Sequence, residues 1–371
     1  MRSIYIHIPF CNRICTYCDF NKFLIKNQPV DEYLEALVKE LNQIEDREIY
    51  TVFIGGGTPT ALTSHQLEYL LKFVTQRFKI NSEFTVEANP DELTAEKIAV
   101  MKKYGVNRLS LGVQTFSNRL LKMLGRTHIE SDVLRAVNEA NRLGIESVSI
   151  DLMYHLPTQT IEECLYDIEQ AVKLKINHIS SYSLILEPKT QFFNQYKKGL
   201  LQMPDETLAQ EMYELTMEYL SRNGFHQYEI SNYAKGDFES KHNKVYWKNQ
   251  EYYGAGAGSH GYVEGKRYFN VVPVPHYIKA MHKGNAIKEI IEVDKYASME
   301  EHMFLGLRLN EGVNVREFEK RYDISFEEVF GTVCRELLKK DQIIIENHHI
   351  KLTEIGRIRG NDVFEKFLLT V

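Results

Sequence analysis

Tyr5-Ile-His-Ile-Pro-Phe-Cys-Asn-Arg-Ile-Cys-Thr-Tyr-Cys-Asp-Phe20 places Cys11, Cys15 and Cys18 in one short loop, spaced Cys-x3-Cys-x2-Cys. The apolar, β-branched run at residues 4–8 leads into it as a strand would. Three thiols this close form a metal site or a redox site. Structural zinc as a rule takes four protein ligands, and only three cysteines are local. A redox Cys-x-x-Cys would use Cys15 and Cys18 and leave Cys11 without a role. A [4Fe–4S] cluster on three cysteines leaves one iron open to a small chelating ligand, which favours chemistry or sensing over electron carriage. The residues alone leave all three readings open.

Outward from the loop, strand and helix alternate to about residue 225. Strands are predicted at 4–8, 50–54, 84–88, 108–114, 147–152 and 178–184. Between them, Tyr33, Leu34, Leu37 and Leu41 share one helix face. Leu67, Leu70, Leu71 and Val74 share another, behind the capping box Thr63-x-x-Gln66. Ile161, Leu165, Ile168 and Val172 follow the box Thr160-x-x-Glu163. Further helices fit 94–104, 131–143 and 205–223, with Gly105, Gly144 and Gly224 where helices end. Six strand–helix units imply a parallel sheet with right-handed crossovers. The predicted class is α/β: a partial (β/α)6 barrel of the TIM type, with a flat doubly wound sheet as the alternative. The predicted domains are a barrel over 1–225, an aromatic and Gly-rich connecting segment over 226–294, and a C-terminal helical domain over 295–371. In the last, a helix capped by Ser325-x-x-Glu328 and a hairpin of 342–346 with 350–353, turning through Asn347-His-His, make a winged-helix-like appendage.

Polar residues recur at one place in the repeat. The cysteine loop follows strand one, Gly55-Gly-Gly-Thr-Pro59 follows strand two, Glu87 and Asn89 end strand three, Gln114 ends strand four and Asp151 ends strand five. Strand C-termini form a single rim in parallel α/β folds, and sites sit there. One such group means helix capping; five in succession mean a site.

Composition sets the outer bounds. The formal net charge of −6 gives no overall attraction to nucleic acid or anionic membrane. No apolar run approaches the ~20 residues that span a bilayer, and no signal peptide is evident, so the expected location is the cytoplasm. Of the 5 cysteines, Cys164 and Cys334 lie in helical patterns and read as buried apolar residues. Lys339, Lys340, Lys351, Arg357 and Arg359 are interspersed with acids, which fits a solvated or protein-docking face and not DNA.

The Cys-x3-Cys-x2-Cys loop, with the aromatic Tyr17 before its last cysteine, resembles the radical S-adenosylmethionine (SAM) signature. Tyr5-x-His7-x-Pro9-Phe10-Cys11, Gly55–Pro59, Glu87-x-Asn89-Pro90, Gly112-Val-Gln114-Thr-Phe116, Arg126, His128 and Asp151 resemble the group around oxygen-independent coproporphyrinogen III dehydrogenase. The resemblance implies a [4Fe–4S] cluster on Cys11, Cys15 and Cys18, with SAM on the open iron. It places Tyr5, Tyr17, Gly56 and Glu87 around that ligand. Gly57, Thr58, Gln114, Arg126 and Asp151 match positions where the enzyme holds a second SAM. Gly56 and Gly57 are expected to let a ligand approach the backbone.

Phe20 stands where that enzyme has a further cysteine, and strand one is expected from about Ile4, where the enzyme has a sizeable N-terminal lead-in. With His242-Asn-Lys-Val-Tyr246-Trp247, these features resemble the haem chaperone family HemW. That resemblance implies haem as cargo, with acceptor haem proteins as partners, membrane-associated respiratory enzymes among them. It argues against coproporphyrinogen III oxidation, which stands as the alternative. It assigns His242, Tyr246 and Trp247 to haem, with His242 as the candidate iron ligand and His260 as its rival. Tyr154-His155-Leu-Pro157 departs from the glycine usual before Leu-Pro. Gly254-Ala-Gly-Ala-Gly258 lacks the context of a nucleotide loop and reads as a close-packed turn.

Overall fold

The structure is a computed structural model and describes residues 1–369. All six predicted strands form: β1 (Ser3–Ile8), β2 (Glu48–Gly56), β3 (Lys79–Ala88), β4 (Arg108–Gln114), β5 (Ser147–Tyr154) and β6 (His178–Ser183). They lie side by side in chain order, all parallel. Ile4, Ile6 and Ile8 alternate with inward residues and are fully buried against the outer helices. Fully burying such a side chain stabilises by roughly 1.5–3 kcal/mol.

Helix ends follow the sequence closely. Thr63 and Gln66 form the predicted box on Ser64–Arg77, and Thr160 and Glu163 form theirs on Ile161–Lys173. Gly105, Gly144 and Gly224 adopt φ of 77°, 81° and 80° just past their helices. Ser325 differs. It occupies the N-cap of Phe326–Lys339, but its side chain makes no capping bond. The Phe326 N–H donates to Glu319 instead.

The 226–294 segment is more than a connection. It supplies β7 (His226–Glu229), β8 (Asn232–Ala234), β9 (Tyr252–Ala255), β10 (His260–Val263), β11 (Lys266–Asn270) and β12 (Ile287–Glu292). These extend both edges of the six-stranded core into a 12-stranded sheet, ordered β12-β11-β10-β9-β1-β2-β3-β4-β5-β6-β8-β7. The β9 strand pairs parallel with β1, so this segment continues the barrel wall. Gly254 and Ala255 belong to β9, and the turn follows, with Gly256 and Gly258 at positive φ.

The motif His242 to Trp247 forms a short helix, Lys241–Trp247, packed against β2 and β3. The C-terminal region has its own core of Met303, Phe318, Phe330 and Ile350. Its hairpin pairs Ile343–Glu346 with His349–Leu352, and Asn347 and His348 both take positive φ as a two-residue turn requires. His155, at φ 58°, occupies a left-handed position that explains why glycine suits that place.

Candidate functional site

The cysteine loop is held at both ends and in its middle. Cys11 closes a short strand that pairs with Phe23–Leu24, and the Phe23 N–H donates to Pro9 O at 2.7 Å. Thr16 donates from N and Oγ1 to the end of the helix Asn118–Leu124. His7 Nε2 lies 2.8 Å from Asn21 O, and Asn21 Nδ2 donates to Ala257 O at 2.7 Å. The loop conformation is therefore set by the protein.

All three cysteines face one cavity with Tyr17, Gly56, Gly57, Thr58, Glu87, Gln114, Arg126 and Asp151. Thr58 Oγ1 donates to Cys11 Sγ at 3.4 Å, and Arg126 Nη1 lies 3.6 Å from Cys15 Sγ. Burial pushes the Cys11 thiol up to about 11, with the Thr58 hydrogen bond opposing. A redox thiol needs the opposite shift. Coordination to a metal centre supplies the positive charge that holds a buried thiolate ionised. Among the described residues no three His, Cys, Asp or Glu side chains converge on a point as a single zinc ion requires. A cluster, whose irons are separate atoms, does not ask the sulfurs to meet.

The carboxylates point to a cationic ligand. Glu87 Oε2 accepts the Gly56 N–H at 3.0 Å, and Ser110 Oγ donates to Asp151 at 3.2 Å. Burial, with Asp151 adding, pushes Glu87 up to about 7. Burial pushes Asp151 up to about 6, against hydrogen bonds from Ser180 and Ser110. Arg126 is committed elsewhere, bonding Asn89 Oδ1 at 2.8 Å and the Gly112 carbonyl. Two enclosed carboxyls without a salt bridge, beside three thiols, fit a ligand that brings an amine and a sulfonium. Gln114 turns the end of β4 with φ 68°, an unusual conformation of the kind found at sites. Behind it Asp167 Oδ1 accepts from Thr115 Oγ1 and Phe116 N.

The glycines also serve packing. A Cβ on Gly56 would stand 2.2 Å from His7 Nδ1, and one on Gly57 2.7 Å from Ile8 O. Their missing side chains make room for β1, and their backbone lines the cavity.

Tyr5 lies deeper. With Phe53, His242, Asn243 and Tyr246 it lines an inner cavity of the barrel, which shares Phe20, Gly56 and Glu87 with the first. The helix Lys241–Trp247 floors this lumen. Glu83 accepts its first N–H groups, from Lys241 at 2.9 Å and His242 at 3.2 Å. His242 is fully buried. Its Nδ1 is 2.7 Å from Thr51 Oγ1 and its Nε2 is 2.8 Å from Tyr246 Oη. As placed, neither nitrogen is free for iron, because both are bonded inside the floor. Burial pushes the imidazole down to about 3, so it is neutral. Trp247 is not with them: it points to the C-terminal region, under Arg308 at 4.4 Å.

Arg13, Lys22 and Ser110 also line the first cavity and were not among the predicted site residues. Ser110 was findable, since it alternates with Gly112 and Gln114 on β4. Arg13 and Lys22 sit in an irregular loop that carries no such period.

Residues 5–171 match the radical SAM superfamily and 293–359 match the HemN C-terminal domain. The chain is 47% identical to the heme chaperone HemW of Lactococcus lactis, covering 99% of this chain and 97% of that one. Against the heme chaperone HemW of Bacillus subtilis it is again 47% identical, covering 99% of each. The HemW of Haemophilus influenzae is 35% identical over 99% of this chain and 97% of that protein. Among solved structures, the Escherichia coli coproporphyrinogen III oxidase HemN, a radical SAM enzyme, superposes with a TM-score of 0.87 at 23% identity. That match covers 100% of this chain and 90% of the other, and at that identity it speaks for the fold alone. No helix among the described residues is long and apolar enough to cross a membrane. By sequence over its full length, by domain content and by fold, this chain belongs to the HemW heme chaperone family of the radical SAM superfamily.

Proposed function

We propose that this chain binds haem and passes it to acceptor haem proteins, on a scaffold that also holds a [4Fe–4S] cluster and SAM. The observation that carries the reading is identity of 47% over 99% of the chain to proteins named as heme chaperones. Cys11, Cys15 and Cys18 hold the cluster, leaving one iron for the amine and carboxylate of SAM. When bound, this pair supplies one-electron chemistry. The chain's own residues bind and orient. Glu87 offers its carboxyl to the positive charge of the ligand, with Gly56 N–H fixing its direction. Asp151, steadied by Ser110, faces the same space beside Gly57, Thr58 and Gln114. Arg126 braces Asn89 and stands by Cys15, next to Tyr17. Phe20, Gly56 and Glu87 join the two cavities, and Tyr5 lines the inner one. His242 and Tyr246 close the lumen from below, and Trp247 ties that floor to the C-terminal region.

Phe20 supports haem over a porphyrinogen to be oxidised. It is 64% exposed and overhangs both cavities, an apolar face for a flat macrocycle. Acceptors with membrane-bound respiratory roles fit the proposal, and so does a cytoplasmic site of action. Titration of the reconstituted chain with haem, followed at the Soret band, tests it. Saturable binding at one haem per chain is expected; its absence overturns the proposal.

A further inference from the structure

Two histidines compete for the iron, and their surroundings differ. His242 is enclosed with both nitrogens bonded. His260 is exposed, and among the described residues its ring is held by stacking on Phe269, not by a side-chain hydrogen bond.

The sheet register shows which way His260 faces. On β1, Tyr5 lines the lumen while Ile4 and Ile6 face the outer helices. Ser3, on the same face as Tyr5, is opposite Tyr252 of β9, and Tyr252 is opposite Tyr262 of β10. Opposed residues share a face, so Tyr252 and Tyr262 are on the lumen side. Tyr252 meets the floor residue Tyr246 edge-on at 4.7 Å, as that side requires. His260 is two residues from Tyr262 and so faces the same way. Phe269 is opposite His260 and completes the row.

Lower down, this inner face is covered. Tyr252 packs on Tyr246, and Tyr262 lies under Arg267, which Glu301 holds. Higher up it is open. His260 and Phe269 stack with ring centroids 5.4 Å apart and planes at 25°. A Cβ on Gly254 would stand 1.9 Å from His260 O, so the missing side chain lets the His260 backbone lie over the inner side of β9, beside Tyr5. Tyr5 and Phe53 stack in turn at 6.1 Å, with Phe20 above them. Phe269 on β11 and Tyr5 on β1 are separated along the wall by β10 and β9, with the His260 backbone folded inward between them. At the outer edge Lys288 Nζ sits 5.4 Å over Phe269, a cation suited to a propionate, with Glu289 its acidic neighbour on that face.

We propose that His260, and not His242, ligates the iron of bound haem, with Phe269 and Phe20 packing on the macrocycle. The assignment rests on the reading of the chain as a haem carrier. Neutral imidazole is the ligand form. Partial burial, with Arg267 adding, holds the His260 imidazole below its ordinary range, so it is unprotonated at neutral pH.

The test is a haem titration of the full chain, its His260→Ala variant and its His242→Gln variant, with Soret-excited resonance Raman spectra and thermal melts of each. His260→Ala should melt as the parent does, bind haem at least about tenfold more weakly, and lose the imidazole-ligated spectrum. Added imidazole should restore that spectrum. His242→Gln should lower the melting temperature and keep the ligation spectrum. An unchanged spectrum in His260→Ala overturns the assignment, whatever its affinity, and so does loss of ligation in His242→Gln alone. If the parent chain binds no haem, the carrier reading itself fails, and that result is distinct from either.

Discussion

At the upper end of the lumen Glu87 and Asp151 are enclosed without a salt-bridge partner among the described residues, and both carboxyls are pushed up by their burial. At the lower end His242 is equally enclosed, and each of its nitrogens has a hydroxyl beside it. The upper end holds carboxyls that face open cavity space, whereas the buried Glu83 carboxylate at the lower end is met by the N–H groups of the floor helix. Buried carboxyls that are hydrogen-bonded but have no counter-charge call for an explanation, and a cationic ligand is one. A buried polar group with every bond made is what a structural element looks like. On this difference we place function at the rim and support at the floor, although both regions carry residues that the motifs mark as sites.

Removing one of the proposed cluster ligands should give the largest effect. Cys15→Ser should reduce iron and acid-labile sulfide after anaerobic reconstitution to background, while the fold, measured by circular dichroism, stays. Retention of a full cluster would break the assignment of the rim. Next, Glu87→Gln takes away the charge offered to the ligand's cation. It should weaken SAM binding by about 1.5–3 kcal/mol in calorimetry, the scale of a hydrogen bond to a charged group. His242→Ala addresses the floor. It takes the His242 partner from the Tyr246 hydroxyl and from Thr51, which keeps Ser3, and should cost about 1–3 kcal/mol of stability in denaturant unfolding. A neutral result would mean the floor is not the support described.

Proton linkage separates the two ends further. Glu87 is raised from 4.5 to about 7, so the ligand-free native state takes up a proton that the unfolded chain has released. This contribution favours the fold at low pH and is lost as pH rises from about 4.5 through 7. A cationic ligand prefers the ionised carboxyl. SAM affinity should therefore rise with pH through the same window, with protons released on binding. Calorimetry in buffers of different ionisation heat reads that release; proton uptake would contradict the electrostatic reading of the rim. The smallest contrast lies in the caps. Thr160→Ala should cost about 1 kcal/mol, whereas Ser325→Ala, whose hydroxyl makes no cap bond, should fall within about 0.5 kcal/mol of the parent.

The rim was legible in sequence because its residues sit at strand ends, and those strands announce themselves as β-branched runs closed by glycine turns. Six parallel strands in chain order then bring Cys11, Gly56, Glu87, Gln114 and Asp151 together without further information. The edge strands were not legible. The β7 to β11 strands have 3 to 5 residues each, too short for alternation to show, and their aromatics and glycines serve packing across strands. The close approach of His260 O to Gly254 is a tertiary contact with no local signature. The floor helix was missed for a related reason. Lys-His-Asn-Lys-Val-Tyr-Trp has no apolar period, and the helix exists because Ser240 and Glu83 bond its first N–H groups.

One measurement weighs cargo against substrate directly. The reconstituted chain, kept anaerobic with SAM and a strong reductant, is given haem in one arm and coproporphyrinogen III in the other. Saturable haem binding is expected in the first arm and no protoporphyrinogen IX in the second. Steady formation of protoporphyrinogen IX, with no saturable haem binding, would contradict the proposed function.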